Sequence, residues 1–342
     1  MIKQFPKTEE FIKKHIALGG AGDVMISVGT LDESYRFMHS NRGDVLKDTT
    51  LCDMMSVTKI LAATPMVLIA IAEGKLSLST TVFDIFNEAP EHLAPITVEQ
   101  LLTHTSGLRH SFLPMSGAPY THEEALVEQW KKKLFAVPGE SSVYACNNMI
   151  LLALAVERIY QKELDELFNT RVAEPLGFEH THFRCDEDAD RIICTRQKND
   201  YICDDPSARR IGGVSGNAGI FSCLRDMEKY ARALLCGFDK ILPREVFDAA
   251  KRNYTAHLTE SRGLGFVYVD ERYPQTGRLF SNGSIGHCGH SGQSVFVDFE
   301  KWMYVVILSN TTFYSACRGG TYSETMKFRE DLHNKIADDL GI

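Results

Sequence analysis

Between residues 60 and 72 almost every position is apolar: Ile60-Leu61-Ala62-Ala63, then Met66-Val67-Leu68-Ile69-Ala70-Ile71-Ala72. A helix that is apolar on all sides is a buried one. The pattern therefore predicts a core helix that starts at Ser56, kinks at Pro65 and ends at Gly74. Upstream, residues 8–18 read as a short amphipathic helix stopped by Gly19-Gly20. Residues 24–30 and 35–38 read as two strands turned by Asp32-Glu33-Ser34, and residues 43–53 as a polar loop. From about 75 to 205 the texture is helical. Thr97-Val98-Glu99-Gln100 forms a capping box, and residues 149–160 a long apolar helix after the Pro138-Gly139 turn. Past 205 the pattern mixes strands (265–269, 294–299, 303–308) with helices (224–235 and 321–340). The amino- and carboxy-terminal portions thus read as mixed α/β with a helical insertion between them.

Composition narrows the classes. Over 342 residues, 44% hydrophobic and 24% charged content are ordinary for a soluble globular protein. The net charge of −8, with no run of five like charges, argues against nucleic acid or an anionic membrane as the main partner. The apolar stretch 60–72 contains Thr64 and Pro65 and is too short to span a bilayer. The charged start, residues 1–10, does not read as a signal peptide. Nine cysteines without a C-x-x-C spacing point to free thiols and a reducing, cytoplasmic setting.

Chemistry enters at Ser56-Val57-Thr58-Lys59. Residues three apart share a helix face, so Lys59 points the same way as Ser56. A lysine in a buried first turn is desolvated and becomes a candidate base, and the helix N-terminus favours developing negative charge at the serine. The plain alternative is a serine N-cap beside a snorkelling lysine. The glycine-rich run 212–219 lacks a phosphate-loop ending and reads as a tight wall near the site.

Two further stretches, Tyr144-Ala145-Cys146 and Gly286-His287-Cys288-Gly289-His290-Ser291-Gly292, complete an S-x-x-K, Y-x-x, H-x-G order. In this order the chain resembles the penicillin-recognising serine hydrolases: class C β-lactamases, D-alanyl-D-alanine carboxypeptidases of that type and their esterase relatives. Residues 74–78, 101–108, 174–177, 212–222 and 289–297 extend the likeness over roughly residues 10–340. The resemblance implies a β-lactamase/transpeptidase-like α+β fold, an antiparallel sheet with flanking helices. Residues 1–75 and 205–342 would form the α/β lobe and 76–204 a helical lobe, in a single domain with the site between the lobes. It also implies that Ser56 is acylated, that Lys59 takes its proton, and that Tyr144 relays a proton to the leaving group. His287, where many relatives have lysine, would keep a positive or hydrogen-bonding environment near Tyr144 and titrate close to neutral pH. The N–H groups of Ser56 and His290, beside Gly289, would form the oxyanion hole. The substrate would be a small ester, amide or β-lactam, with no metal or organic cofactor.

Cys146 departs from the family's Y-x-N, whose asparagine bonds the lysine and the substrate amide. A thiol is a weak donor and acceptor, which counts against good amide turnover, unless Asn147 or Asn148 takes the role. A thiol near Lys59 is also expected to be acidified and readily oxidised. Rival readings are a slowly acylating sensor on the same fold, catalysis by Cys146, and a soft metal site of Cys146, His287, Cys288 and His290. His104, His110 and His122 read as structural or exposed.

Overall fold

The amino-terminal alternation builds a hairpin whose first strand runs through the middle of a sheet. The computed structural model describes residues 4–114, 116–185, 192–193, 195 and 203–342; residues 1–3 and Cys194 lie outside them. Among the described residues the strands are β1 (Asp23–Gly29), β2 (Ser34–Ser40), β3 (Leu51–Asp53), β4 (His182–Phe183), β5 (Ile192–Ile193), β6 (Ile220–Cys223), β7 (Val267–Tyr268), β8 (Ile285–Cys288), β9 (Ser294–Asp298) and β10 (Met303–Ser309). Six of them form an antiparallel sheet in the order β2-β1-β10-β9-β8-β7. The sheet is apolar on both faces. Val24, Ile26 and Val28 pack with Phe328, Leu332 and Ile336 of the closing helix Tyr322–Leu340, and with Ile12 of the first helix Pro6–Ala17. Met25, Val306 and Leu308 face the larger core that contains the helix predicted at 60–72. A second, four-stranded sheet of short strands, β4-β6-β3-β5, stands apart from the first.

The central helical run differs in one informative way from the expectation. It is continuous over Met55–Ala72, but Lys59–Ala63 is wound as a π-helix and a regular α-helix begins only at Thr64–Ala72. Pro65 falls in the first turn of that α-helix. Its missing N–H cannot bond a preceding carbonyl, so the wide π turn absorbs the break where a kink was expected. The run is 18 residues long and apolar enough to cross a bilayer by length and composition, yet 83% of it is buried inside the fold.

The other long helices follow the sequence pattern. The capping box at Thr97 forms both of its reciprocal bonds, to Gln100, and helix Leu224–Leu235 matches the expected range. The long apolar helix begins earlier than expected, at Cys146, and runs to Tyr160. Cys146 therefore stands at a helix start. The eight described cysteines are all free.

Candidate active site

The site is assembled where three chain segments meet: the start of the central helix, the start of helix Cys146–Tyr160, and the end of β8. Met55 precedes the serine with φ 49°, in the left-handed region that non-glycine residues rarely occupy. Asp53 stabilises this turn by accepting the Met55 N–H at 2.8 Å, and its second oxygen accepts the Asp204 N–H at 2.6 Å. Burial, opposed by these two bonds, raises the Asp53 carboxyl to about 7.

Ser56 Oγ lies between two groups. Lys59 Nζ is 2.9 Å away on one side and Tyr144 Oη 2.7 Å on the other. Lys59 is fully buried. Its nitrogen also donates to the Asn217 carbonyl oxygen at 2.8 Å and to Cys146 Sγ at 3.4 Å. Two acceptors can thus hold the two N–H bonds of a neutral amine and leave its lone pair for the Ser56 hydroxyl. Burial pulls Lys59 below the ordinary lysine value, and the neighbouring Cys146 only partly offsets this. The same desolvation keeps the Tyr144 phenol well above its ordinary value, so it is a proton donor and not a phenolate.

The expected glycine wall is present and supplies more than a wall. A Cβ at Gly216 would lie 2.1 Å from the Met149 carbonyl oxygen, so only glycine allows this loop to press against helix Cys146–Tyr160 and present the Asn217 carbonyl to Lys59. Gly289 is equally constrained: a Cβ there would be 2.8 Å from the Met54 carbonyl oxygen. That contact seats the end of β8 directly on the turn before Ser56.

His290 follows on a clamped peptide. The Gly289 carbonyl accepts from Arg329 Nη2, which also reaches the Gln293 carbonyl at 3.1 Å. The His290 carbonyl accepts from Thr312, and the His290 ring stacks on Tyr322 at 4.7 Å. The C=O and N–H of a trans peptide point opposite ways, so the His290 N–H is directed away from Arg329. It has no hydrogen-bond partner among the described residues.

His287 corrects the charge expected at its position. It is 3% exposed, and its ring lies 6.0 Å from that of Tyr144. Burial, then Lys59 and Arg262, push it well below the ordinary imidazole value. It is a neutral ring and does not titrate near pH 7. Asn147 and Asn148 do not substitute for the missing family amide. Asn147 bonds Gln129 and the Ser111 N–H, while Asn148 bonds Ser106 and His104. The Cys146 sulfur itself takes the lysine N–H. Burial raises the Cys146 thiol, but Lys59 and His110 outweigh it, and the net direction is down. The four atoms of the soft-metal reading do not converge on one point: Cys288 Sγ meets Tyr273 Oη at 3.1 Å, His287 Nδ1 the Cys288 carbonyl at 2.8 Å, and Cys146 meets Lys59. Elsewhere, His122, Glu157 and Glu163 bring ligand atoms within 4.8 Å, and His122 and Glu157 already pair at 2.9 Å.

Several functional neighbours were not legible beforehand. His110 lines the cavity, and the neighbouring Cys146 raises its imidazole above the ordinary value. His104 packs on the Tyr144 ring at 5.0 Å. Arg329 is fully buried behind the oxyanion candidate. The cavity, about 620 Å³, is walled by Ser56, Tyr144, Cys146, Arg262, His287 and Tyr322 among others, a size suited to a small molecule.

Comparison with known proteins gives the family and the fold. Residues 27–322 match the family model described as Beta-lactamase. Esterase EstB of Burkholderia gladioli is 26% identical over 318 residues, 79% of this chain and 80% of EstB. EstCE1, a hydrolase with promiscuous acyltransferase activity, superposes with a TM-score of 0.77 at 20% identity, over 96% of this chain and 98% of that one. The octameric penicillin-binding protein homologue from Pyrococcus abyssi gives 0.70 at 21% identity, over 93% of this chain and 78% of its own. At these identities the two structures carry the fold alone.

Proposed function

The chain belongs to the β-lactamase family of serine hydrolases, and on that premise we propose that it cleaves a small ester or amide through an acyl-enzyme at Ser56. The observation that carries this reading is the bracketing of Ser56 Oγ by Lys59 Nζ at 2.9 Å and Tyr144 Oη at 2.7 Å. Ser56 Oγ attacks the carbonyl carbon while its proton passes to the neutral Lys59 amine. The N–H groups of Ser56 and His290 receive the developing oxyanion. As the tetrahedral adduct collapses, Tyr144 gives its proton to the leaving atom and is re-protonated from Lys59. Water then enters on the same path and releases the acid. A fluorophosphonate should therefore add one phosphonyl group, on the peptide containing Ser56, and should leave Ser56→Ala unlabelled. Label on Cys146 in the native enzyme would overturn the reading.

The protonation states fix a sign for the pH profile. Activity requires the neutral amine, so kcat/KM rises with pH, and the limb lies below the ordinary lysine range because burial lowers Lys59. Cys146 raises Lys59, so Cys146→Ala should move that limb to lower pH. His287→Gln should leave it in place, because His287 is neutral throughout. A limb that moves upward in Cys146→Ala, or shifts in His287→Gln, would contradict the assignment.

A further inference from the structure

The net charge of −8 is unevenly spread over the surface. Lys131-Lys132-Lys133, the longest run of cations in the chain, follows helix His122–Trp130 directly. Exposure then alternates. Lys133, Phe135 and Val137 are exposed, while Leu134 packs against the larger core. An extended segment turns every second side chain to one face, and the outward face is ordinarily the polar one. Here it is Lys133, Phe135 and Val137. Phe135, 70% exposed, is the most exposed large hydrophobic among the described residues, and Val137 is 59% exposed.

This ridge is fastened to residues 107–113. Leu108 pairs with Leu134, and the Phe135 N–H donates to the Gly107 carbonyl at 2.8 Å. Lys132 Nζ donates to the Phe112 carbonyl at 3.1 Å, and the Arg109 guanidinium lies 4.5 Å over the Phe135 ring. A Cβ at Gly107 would fall 2.1 Å from the Ala136 carbonyl oxygen, so the two segments are in direct contact. Phe112 and Val143 are exposed too, and Val143 shares a groove of about 280 Å³ with Arg109 and Phe135. Single exposed apolar side chains are ordinary, but a joined group of them rimmed by charge marks a contact surface. Residues 107–113 and 131–143 hold four cations, Arg109 and the three lysines, against one carboxylate, Glu140. Lys131 is paired with Glu128 at 2.5 Å; among the described residues no carboxylate bonds Arg109 or Lys133. The surface reaches the catalytic site twice. Phe112 lines the cavity that holds Ser56, and Val143 immediately precedes Tyr144.

The occupant must accept cations and outward-pointing hydrophobic side chains together. A bilayer boundary does both, with phosphates outside and acyl chains beneath. An acidic protein face satisfies the cations but leaves the Phe135 and Val137 ridge without a place. We propose that residues 107–113 and 131–143 dock the protein on an anionic lipid surface, with Arg109 and Lys133 at the phosphates, Phe112, Phe135, Val137 and Val143 at the acyl boundary, and the rim of the Ser56 cavity against that surface. This goes beyond the acyl-enzyme reading and does not depend on it.

Flotation with vesicles of phosphatidylcholine and phosphatidylglycerol, at about 0.1 M salt, tests the proposal. The native chain should bind them at least about tenfold more tightly than vesicles of phosphatidylcholine alone, and should release as salt is raised. Arg109→Gln with Lys133→Gln should weaken binding by about twentyfold, and Phe135→Ser with Val137→Ser by at least about tenfold. Thermal melts check that both double variants are folded, and the dependence of the native chain on lipid charge is read without any variant. Ser56→Ala should bind as the native chain does, so loss of its activity and loss of docking are separate outcomes. Absence of native binding to the anionic vesicles, equal binding to the neutral ones, or binding that either folded double variant retains in full would overturn the proposal. So would capture by poly-L-glutamate that matches vesicle binding and survives Phe135→Ser with Val137→Ser, the result expected of a surface for an acidic protein.

Discussion

Lys59→Met should lower the rate of Ser56 acylation by roughly a thousandfold, and Lys59→Arg should be nearly as damaging. The argument turns on the proton and not on the charge. Lys59 is fully buried, and among the described residues its nitrogen hydrogen-bonds Ser56 Oγ, the Asn217 carbonyl and Cys146 Sγ. Among the described residues an ammonium there has no carboxylate partner, and desolvation favours the neutral form that can take the serine proton. Methionine has similar length and volume and fills the space, but has no lone pair basic enough to serve. Arginine keeps a cation and the donors yet does not give up its proton in a protein, so it keeps the electrostatics and loses the base. Stopped-flow acylation with an activated ester, beside thermal melts of both variants, separates chemistry from folding. An Arg variant within tenfold of the native rate would remove Lys59 as the base.

Tyr144→Phe should have an effect that depends on the leaving group. For an alkyl ester the departing alkoxide needs a proton, and removing the phenol should cost about a hundredfold in kcat/KM. For a p-nitrophenyl ester, whose leaving group departs as a stable anion, the loss should be below about tenfold. The phenol is the correct donor because burial, reinforced by Cys146, holds it protonated. Its ring is set by His104 at 5.0 Å and His287 at 6.0 Å, contacts that phenylalanine retains. Equal losses on both esters would show that Tyr144 positions the substrate or the serine and does not relay a proton.

What the sequence made legible follows chain locality. Ser56 and Lys59 lie on one helix face three residues apart, and the structure brings their side chains together even though the turn between them opens into a π-helix. The strands of the larger sheet with long apolar runs, β1, β9 and β10, were readable, and so was the closing helix. β8 was not, because Ile285-Gly286-His287-Cys288 has neither alternation nor a β-branched run; Gly286 is there because a Cβ would fall 2.1 Å from the Val295 carbonyl oxygen. β3 and β6 escaped because they are three and four residues long and belong to a sheet whose partners are remote in sequence. Asn217 serves through a backbone carbonyl, which no residue type announces. Arg329 reaches the Gly289 carbonyl across forty residues. The charge of His287 was misjudged because residue type says nothing about burial, and here burial decides it.

The central claim is that an acyl group forms on Ser56 and nowhere else, with Cys146 Sγ as the competing nucleophile, 3.4 Å from the same lysine. Rapid quench of the native enzyme with an activated ester, followed by intact mass and peptide mapping, tests it most directly. The account predicts one acyl mass per chain within the first turnover, as an oxygen ester on the Ser56 peptide, present in Cys146→Ala and absent in Ser56→Ala. An acyl group recovered as a thioester on the Cys146 peptide, or unchanged turnover by Ser56→Ala, would contradict it.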